Sequence, residues 1–118
     1  MKNLIMIISL LVISFSLSAK TLTTEIGVIS RLYAYDDTGA IAGRDGADIA
    51  VWLKTGLVQC KDGVWLSPAV PGYKTITSFL LTAYTTKQNV RFQVYSDKVW
   101  KGSSTYKLCQ IDAIRFES

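Results

Sequence analysis

Apolar and polar residues alternate with a period of two along most of this chain, and the period changes once to 3.6. The first alternating stretch runs from Thr24 to Tyr35, with Ile26, Val28 and Ser30 on one side and Gly27, Ile29 and Arg31 on the other. It ends at Asp36-Asp37-Thr38-Gly39, residues that satisfy backbone groups locally and tolerate positive φ. A second glycine pair, Gly43 and Gly46, extends the loop over 36–47. Asp48 to Lys54 reads as a strand with Ile49, Val51 and Leu53 on one face and Trp52 on the other. Leu57 to Cys60 and Val64 to Leu66 read as a hairpin about Lys61-Asp62-Gly63. The helical stretch follows Pro71-Gly72. Ile76, Phe79, Leu80, Ala83 and Tyr84 form one apolar stripe, and Lys74, Thr75, Ser78, Thr82 and Thr85 form a small polar face. Lys87-Gln88-Asn89 ends it. Val90, Phe92 and Val94 then alternate with Arg91, Gln93 and Tyr95, and Leu108 to Phe116 forms a last strand whose inward face the pattern leaves open.

The expected order is β-β-β-α-β-β in a mostly β chain with one helix. That is the plan of a small five-stranded OB-fold-like barrel, although other arrangements of one helix on a sheet also fit. No repeat or linker divides the chain, so residues 20–118 are read as one domain whose body runs from about Thr24 to Phe116.

Residues 1–19 differ in kind. Lys2, the apolar run Leu4 to Val12 and a small-residue exit match a secretory signal peptide, cleaved after Ser18 or Ala19. The run is short and is interrupted by Ser9 and Ser14, so it is read as removed and not inserted in a membrane. In an exported chain the only two cysteines, Cys60 and Cys109, imply one structural disulfide and a secreted or periplasmic location. The net charge is +4, or +3 once Lys2 leaves with the signal, and acids and bases are intermixed. No basic run suggests nucleic acid as a partner.

The chain contains no histidine, which removes the commonest general base and metal ligand. With both cysteines paired, no metal or other cofactor is expected, apart from calcium at carboxylates. The close carboxylates are Asp36-Asp37 and Asp45 with Asp48; solvated turn residues are their commoner use, so the chain is not expected to be an enzyme. Aromatic residues are the stronger lead, because Tyr and Trp offer sugars or protein surfaces an apolar face and a polar tip. Trp52, Trp65 and Tyr84 are expected mainly to fill the core, while Tyr35, Tyr95 and Trp100 adjoin polar turns and are expected to be more exposed. Arg31, Arg91 and Arg115 lie on strands, where they could clamp a carboxylate or form surface ion pairs.

The stretch from Ala83-Tyr84-Thr85-Thr86 through Val90-Arg91-Phe92, with Tyr95 and Val99-Trp100 beyond it, resembles the helix-to-strand segment of the subtilase cytotoxin B-subunit family. The resemblance covers about 20 residues. It implies an OB-fold that assembles as a ring-shaped pentamer, binds sialylated host glycans and accompanies a separate catalytic A subunit. It would place the helix along the central pore, and it implies a sugar-contacting role for Tyr95, with Ser30 near the position of the family's sialic-acid serine. The candidate glycan-binding set is therefore Tyr95, Ser30, Tyr35 and Trp100. A monomeric periplasmic inhibitor or chaperone-like domain is the alternative.

Overall fold

A computed structural model describes residues 21–36 and 48–117. The segment read as a signal peptide, together with Asp37, Asp45 and most of the 36–47 loop, lies outside the described residues. Six strands and one helix follow in the order β1 (Thr21–Thr23), β2 (Ile29–Ala34), β3 (Ile49–Leu53), β4 (Gly63–Leu66), α1 (Tyr73–Thr86), β5 (Val90–Val99) and β6 (Leu108–Phe116). They form one sheet in the order β1-β5-β6-β4-β3-β2. Every neighbouring pair is antiparallel except β4–β6.

The protein is mostly β with one helix, arranged as a small barrel-like sheet. No ladder joins β1 to β2, the two edge strands. The chain itself ties the edges together. Thr24 N–H bonds the Phe92 carbonyl, Gly27 and Val90 exchange both backbone bonds, and Lys54 N–H reaches the Val28 carbonyl. The first segment thus bonds β5 and then β3. What the alternation presents as one strand from Thr24 to Tyr35 is broken at 24–28, where the chain passes between the two edges.

The proposed hairpin between Leu57–Cys60 and Val64–Leu66 does not form. β4 pairs instead with β3 and β6, and 54–62 is a loop anchored inward by buried Leu57 and by Cys60. Cys60 is bonded to Cys109 with a Cα–Cα distance of 5.7 Å, and both residues are fully buried. A covalent link into β6 and a buried Leu57 leave this segment no free edge on which to build a ladder. Gly63 starts β4 with φ of +148°, and a side chain there would collide with the Val51 carbonyl oxygen. Glycine is required because two backbones meet at that point.

β3 is buried along its whole length because both of its faces are covered. Ile49, Val51 and Leu53 point into the main core with Val64, Leu66 and Phe92. Ala50 and Trp52 point outward, under a second cluster made with Trp100 and Leu108 and flanked by Tyr35 and Trp65. All three tryptophans therefore belong to the outer layer. In β6 the register shifts between Val94↔Ile111 and Gln93↔Ala113, leaving Asp112 as the extra residue. Cys109 and Ile111 face the core before this bulge, and Ile114 packs on the core after it. A bulge reverses the phase of a strand, which is why alternation alone left the inward face open.

Helix α1 packs across β2 and β6. Its buried stripe is narrower than the apolar stripe in the sequence. Leu80 and Ala83 are buried and Tyr73 and Ile76 are partly covered, whereas Phe79 and Tyr84 flank the contact at 38% and 40% exposure. Phe79 stacks on Phe116 with ring centres 5.5 Å apart. The helix closes in a left-handed residue, Lys87, and the N–H groups of Lys87 and Gln88 both bond the Ala83 carbonyl.

The disulfide closes a sequence separation of 49 residues, so its loss releases chain entropy worth about 4 kcal/mol in the unfolded state. Replacing Cys60 and Cys109 together by Ala is expected to lower the unfolding free energy by about that amount. Urea titration checks this, and an unchanged midpoint would show that the crosslink is thermodynamically idle.

Candidate functional site

Arg31, Tyr33 and Tyr35 recur at every second residue, which places them on the outer face of the sheet beside Trp52 of the next strand. The rings of Tyr33 and Trp52 lie 5.1 Å apart, and Tyr106 meets Trp52 edge-on at 5.3 Å. Over this floor sits the Arg31 guanidinium, 4.8 Å from the Trp52 ring centre and 5.8 Å from that of Tyr106. Hydrogen bonding to Tyr33, and next to Tyr106, holds its pKa above the ordinary arginine value. The surrounding cleft has a volume of about 330 Å³.

Arg31 differs from the other two strand arginines. Arg91 pairs with Glu117 at 2.9 Å and Arg115 meets the same carboxylate at 3.5 Å. Among the described residues Arg31 has no carboxylate partner. It is a cation fixed by aromatic groups and open to solvent. Beneath it the Trp52 indole N–H is buried and has no hydrogen-bond partner.

Tyr106 and Trp100 come from the segment that joins β5 to β6. That segment is folded back by Trp100 N–H to the Leu108 carbonyl, and it is pinned to the β3–β4 loop by Lys107 N–H to Asp62 Oδ2 at 2.8 Å. Ser103 Oγ accepts from the N–H groups of Thr105 and Tyr106, shaping the turn. Gly102 passes so close to Trp100 that a Cβ there would enter the indole ring. Trp100 is 4% exposed, not surface-lying as its polar neighbours suggest, because it is the part of this segment that packs down on β3. Its indole Nε1–H donates to Asp48 Oδ2 at 2.7 Å.

Two of the four glycan-binding candidates, Tyr35 and Trp100, line this cleft, and Ser30 touches only the backbone of its neighbouring strand. Tyr35 lies 5.6 Å from Trp100, ring centre to ring centre. Ser30 occupies the register shift between Ile29 and Arg31, and its hydroxyl donates to the Trp52 carbonyl at 3.1 Å. Tyr95 stands elsewhere. Its hydroxyl donates to Asp112 Oδ1 at 2.7 Å in a cavity of about 240 Å³ beside Pro71 and Ile76. That bond first, and burial second, raises the Tyr95 pKa. Of the proposed core aromatics, Trp52 is buried but in the outer layer, Trp65 is half-buried, and Tyr84 is exposed because it lies past the edge of the helix contact.

Tyr33, Tyr106 and Asp48 gain roles that local reading did not give them. The period-two spacing of Arg31, Tyr33 and Tyr35 is a signal for the first. Tyr106 carries no such signal, since it reaches Trp52 only through the tertiary fold. Asp36 is exposed, and Asp48 is fully buried. Among the described residues no group of three or more acidic, cysteine or histidine side chains could hold a metal ion. No helix among them is long and apolar enough to cross a membrane. No protein-family model, curated protein or solved structure matches the chain.

Burial raises the pKa of Asp48 above the ordinary aspartate value, and the bond from Trp100 only partly offsets this. The folded state therefore holds the proton more tightly than the unfolded chain. Stability is expected to rise as pH falls through the raised pKa toward the ordinary value. Asp48→Asn, which keeps an acceptor for Trp100, is expected to flatten that pH dependence; chemical denaturation at several pH values between 4 and 8 checks it.

Proposed function

We propose that this chain is an exported, non-catalytic glycan-binding subunit of the toxin B-subunit type, with Arg31 and the aromatic cluster around Trp52 as its anionic-sugar site. The observation that carries the reading is the unpaired Arg31 guanidinium, seated on Trp52 and held by tyrosines. A sialylated glycan carries a carboxylate that suits a fixed guanidinium fork and an apolar sugar face that suits an indole or phenol ring. The disulfide fits an oxidising compartment outside the cytoplasm.

Assembly into a ring of like subunits, a homopentamer on the family pattern, accords with the character of the helix surface. Ser78, Thr82, Thr85 and Thr86 each donate their hydroxyl to the carbonyl four residues earlier. Hydroxyls turned back on their own backbone leave a smooth face with little demand for water. Beside it Phe79, Leu81, Tyr84 and Phe116 are exposed apolar groups that a neighbouring subunit could cover. A ring would raise weak single-site binding through effective concentration, and a catalytic A subunit would be its cargo. The same exposed groups also suit the second reading, a monomeric domain that binds another exported protein.

Arg31→Ala is expected to weaken binding to sialylated glycans at least about tenfold, the loss typical of a charge-assisted hydrogen bond. A glycan array followed by titration calorimetry tests this, and binding unaffected by the substitution overturns the site. Light scattering of the exported protein is expected to give a multiple of the subunit mass, near five, that falls toward one in Leu81→Glu. A native mass of one subunit would favour the monomeric reading.

A further inference from the structure

The polar groups of the Arg31 cleft carry more information than a single cation does. Among the described residues no lysine or carboxylate lines the cleft, so Arg31 supplies all of its side-chain charge. One positive charge with no second cation suits a monoanion better than a dianion. Its volume of about 330 Å³ is at the small end of ligand sites.

The groups around Arg31 are set as donors. Ser103 Oγ accepts from the N–H groups of Thr105 and Tyr106 at 3.0 and 3.1 Å, which uses both of its lone pairs. Its O–H can then only donate. Ser103 is half-buried where it lines the cleft, so a ligand can reach it. Tyr33 and Tyr106 are exposed, and their hydroxyl oxygens bond a guanidinium that has no lone pair to offer in return. Each phenol keeps its own O–H for another acceptor. The cleft therefore presents donors and calls for a ligand rich in acceptors.

A carboxylate sets its two oxygens in one plane and matches the guanidinium fork. A sulfate ester carries the same single charge on three terminal oxygens that point in different directions. It can meet the fork and a hydroxyl together, and it is weakly hydrated, as a guanidinium is. The indoles of Trp52 and Trp100 are 5% and 4% exposed, so neither shows a bare face on which an aryl group could stack. That favours a sulfated sugar over a sulfated tyrosine of a peptide.

We infer that the Arg31 cleft prefers a sugar sulfate ester to a sugar carboxylate, and that the Ser103 hydroxyl makes the distinction. The inference rests on the reading of this cleft as an anion site and names its preferred anion. It draws on neither the ring nor a catalytic partner.

The test is an NMR titration of the whole exported protein with one sugar bearing different groups on the same carbon: galactose-6-sulfate, galacturonate, galactose-6-phosphate and galactose itself. Tyrosine O-sulfate is a further probe. The sulfated sugar is expected to bind with millimolar affinity and to shift the Arg31 Nε–H and the Tyr106 backbone N–H. It should bind at least about tenfold tighter than galacturonate, the difference that one hydrogen bond to a charged group makes. The phosphate should bind more weakly than the sulfate. Ser103→Ala is expected to bring the sulfate down to the affinity of galacturonate and to leave galacturonate unchanged, while Ser103→Thr, which keeps the hydroxyl, restores the preference. No binding of the sulfate at tens of millimolar, equal affinity for galacturonate, or tighter binding of the phosphate overturns the inference. So does Ser103→Ala if it keeps the preference, or if it weakens both ligands alike through its turn. Tighter binding of tyrosine O-sulfate would make the ligand a peptide and overturn the sugar. Sialylated glycans that bind without any preference for sulfate overturn this inference alone, and sulfate binding without sialylated glycans overturns the sialic-acid reading alone.

Discussion

The hydrogen bond from Trp100 to Asp48 fastens the β5–β6 segment against the outside of β3, and the outer surface of the molecule takes its form from that contact. Without the segment, Ala50 and Trp52 would face solvent and β3 would be a half-buried strand. With it, β3 is covered on both sides and the barrel-like sheet gains a second small core. The same placement brings Tyr106 over Trp52 and completes the cleft in which Arg31 lies among aromatic rings. An acidic residue at the floor of an apolar layer is an unusual choice for stability alone, because burial disfavours its charged form.

The covalent link serves a different part of the fold. Cys60 fixes an otherwise unladdered loop to the middle of the sheet, where β4 and β6 run parallel. A parallel pair needs a long connection, supplied here by α1 and β5. The crosslink is placed where sequence-distant segments must be held together. In a domain of about 100 residues, with a modest core, such a link is a large share of net stability.

The glycan-binding reading and the resemblance behind it meet at the surface but not at every residue. Tyr95, the residue the resemblance favours, is committed to Asp112 and stands away from the aromatic cluster. The cluster is defined by Arg31, whose two strand counterparts share Glu117. That contrast turns one basic residue among many into a candidate for ligand recognition.

Much of this molecule was legible in its residues. The period-two runs gave β3, β5 and β6 and the 3.6 period gave α1, because backbone geometry repeats locally and burial follows it. Two cysteines and no others gave the disulfide. Other features required the folded chain. The loop at 54–62 imitates a strand, yet Cys60 and Leu57 are pulled inward. The bulge at Asp112 reverses a face that alternation cannot track. Phe79 and Tyr84 lie on an apolar stripe wider than the contact it makes. The tryptophans read as core residues or surface residues, and they proved to be a layer outside the sheet. Local sequence determined which segments were extended or helical and which were fit to be buried. Which side chains met was decided by tertiary contacts between residues 52 or more positions apart, such as Trp100 with Asp48 and Tyr106 with Arg31, and no periodicity spans that distance.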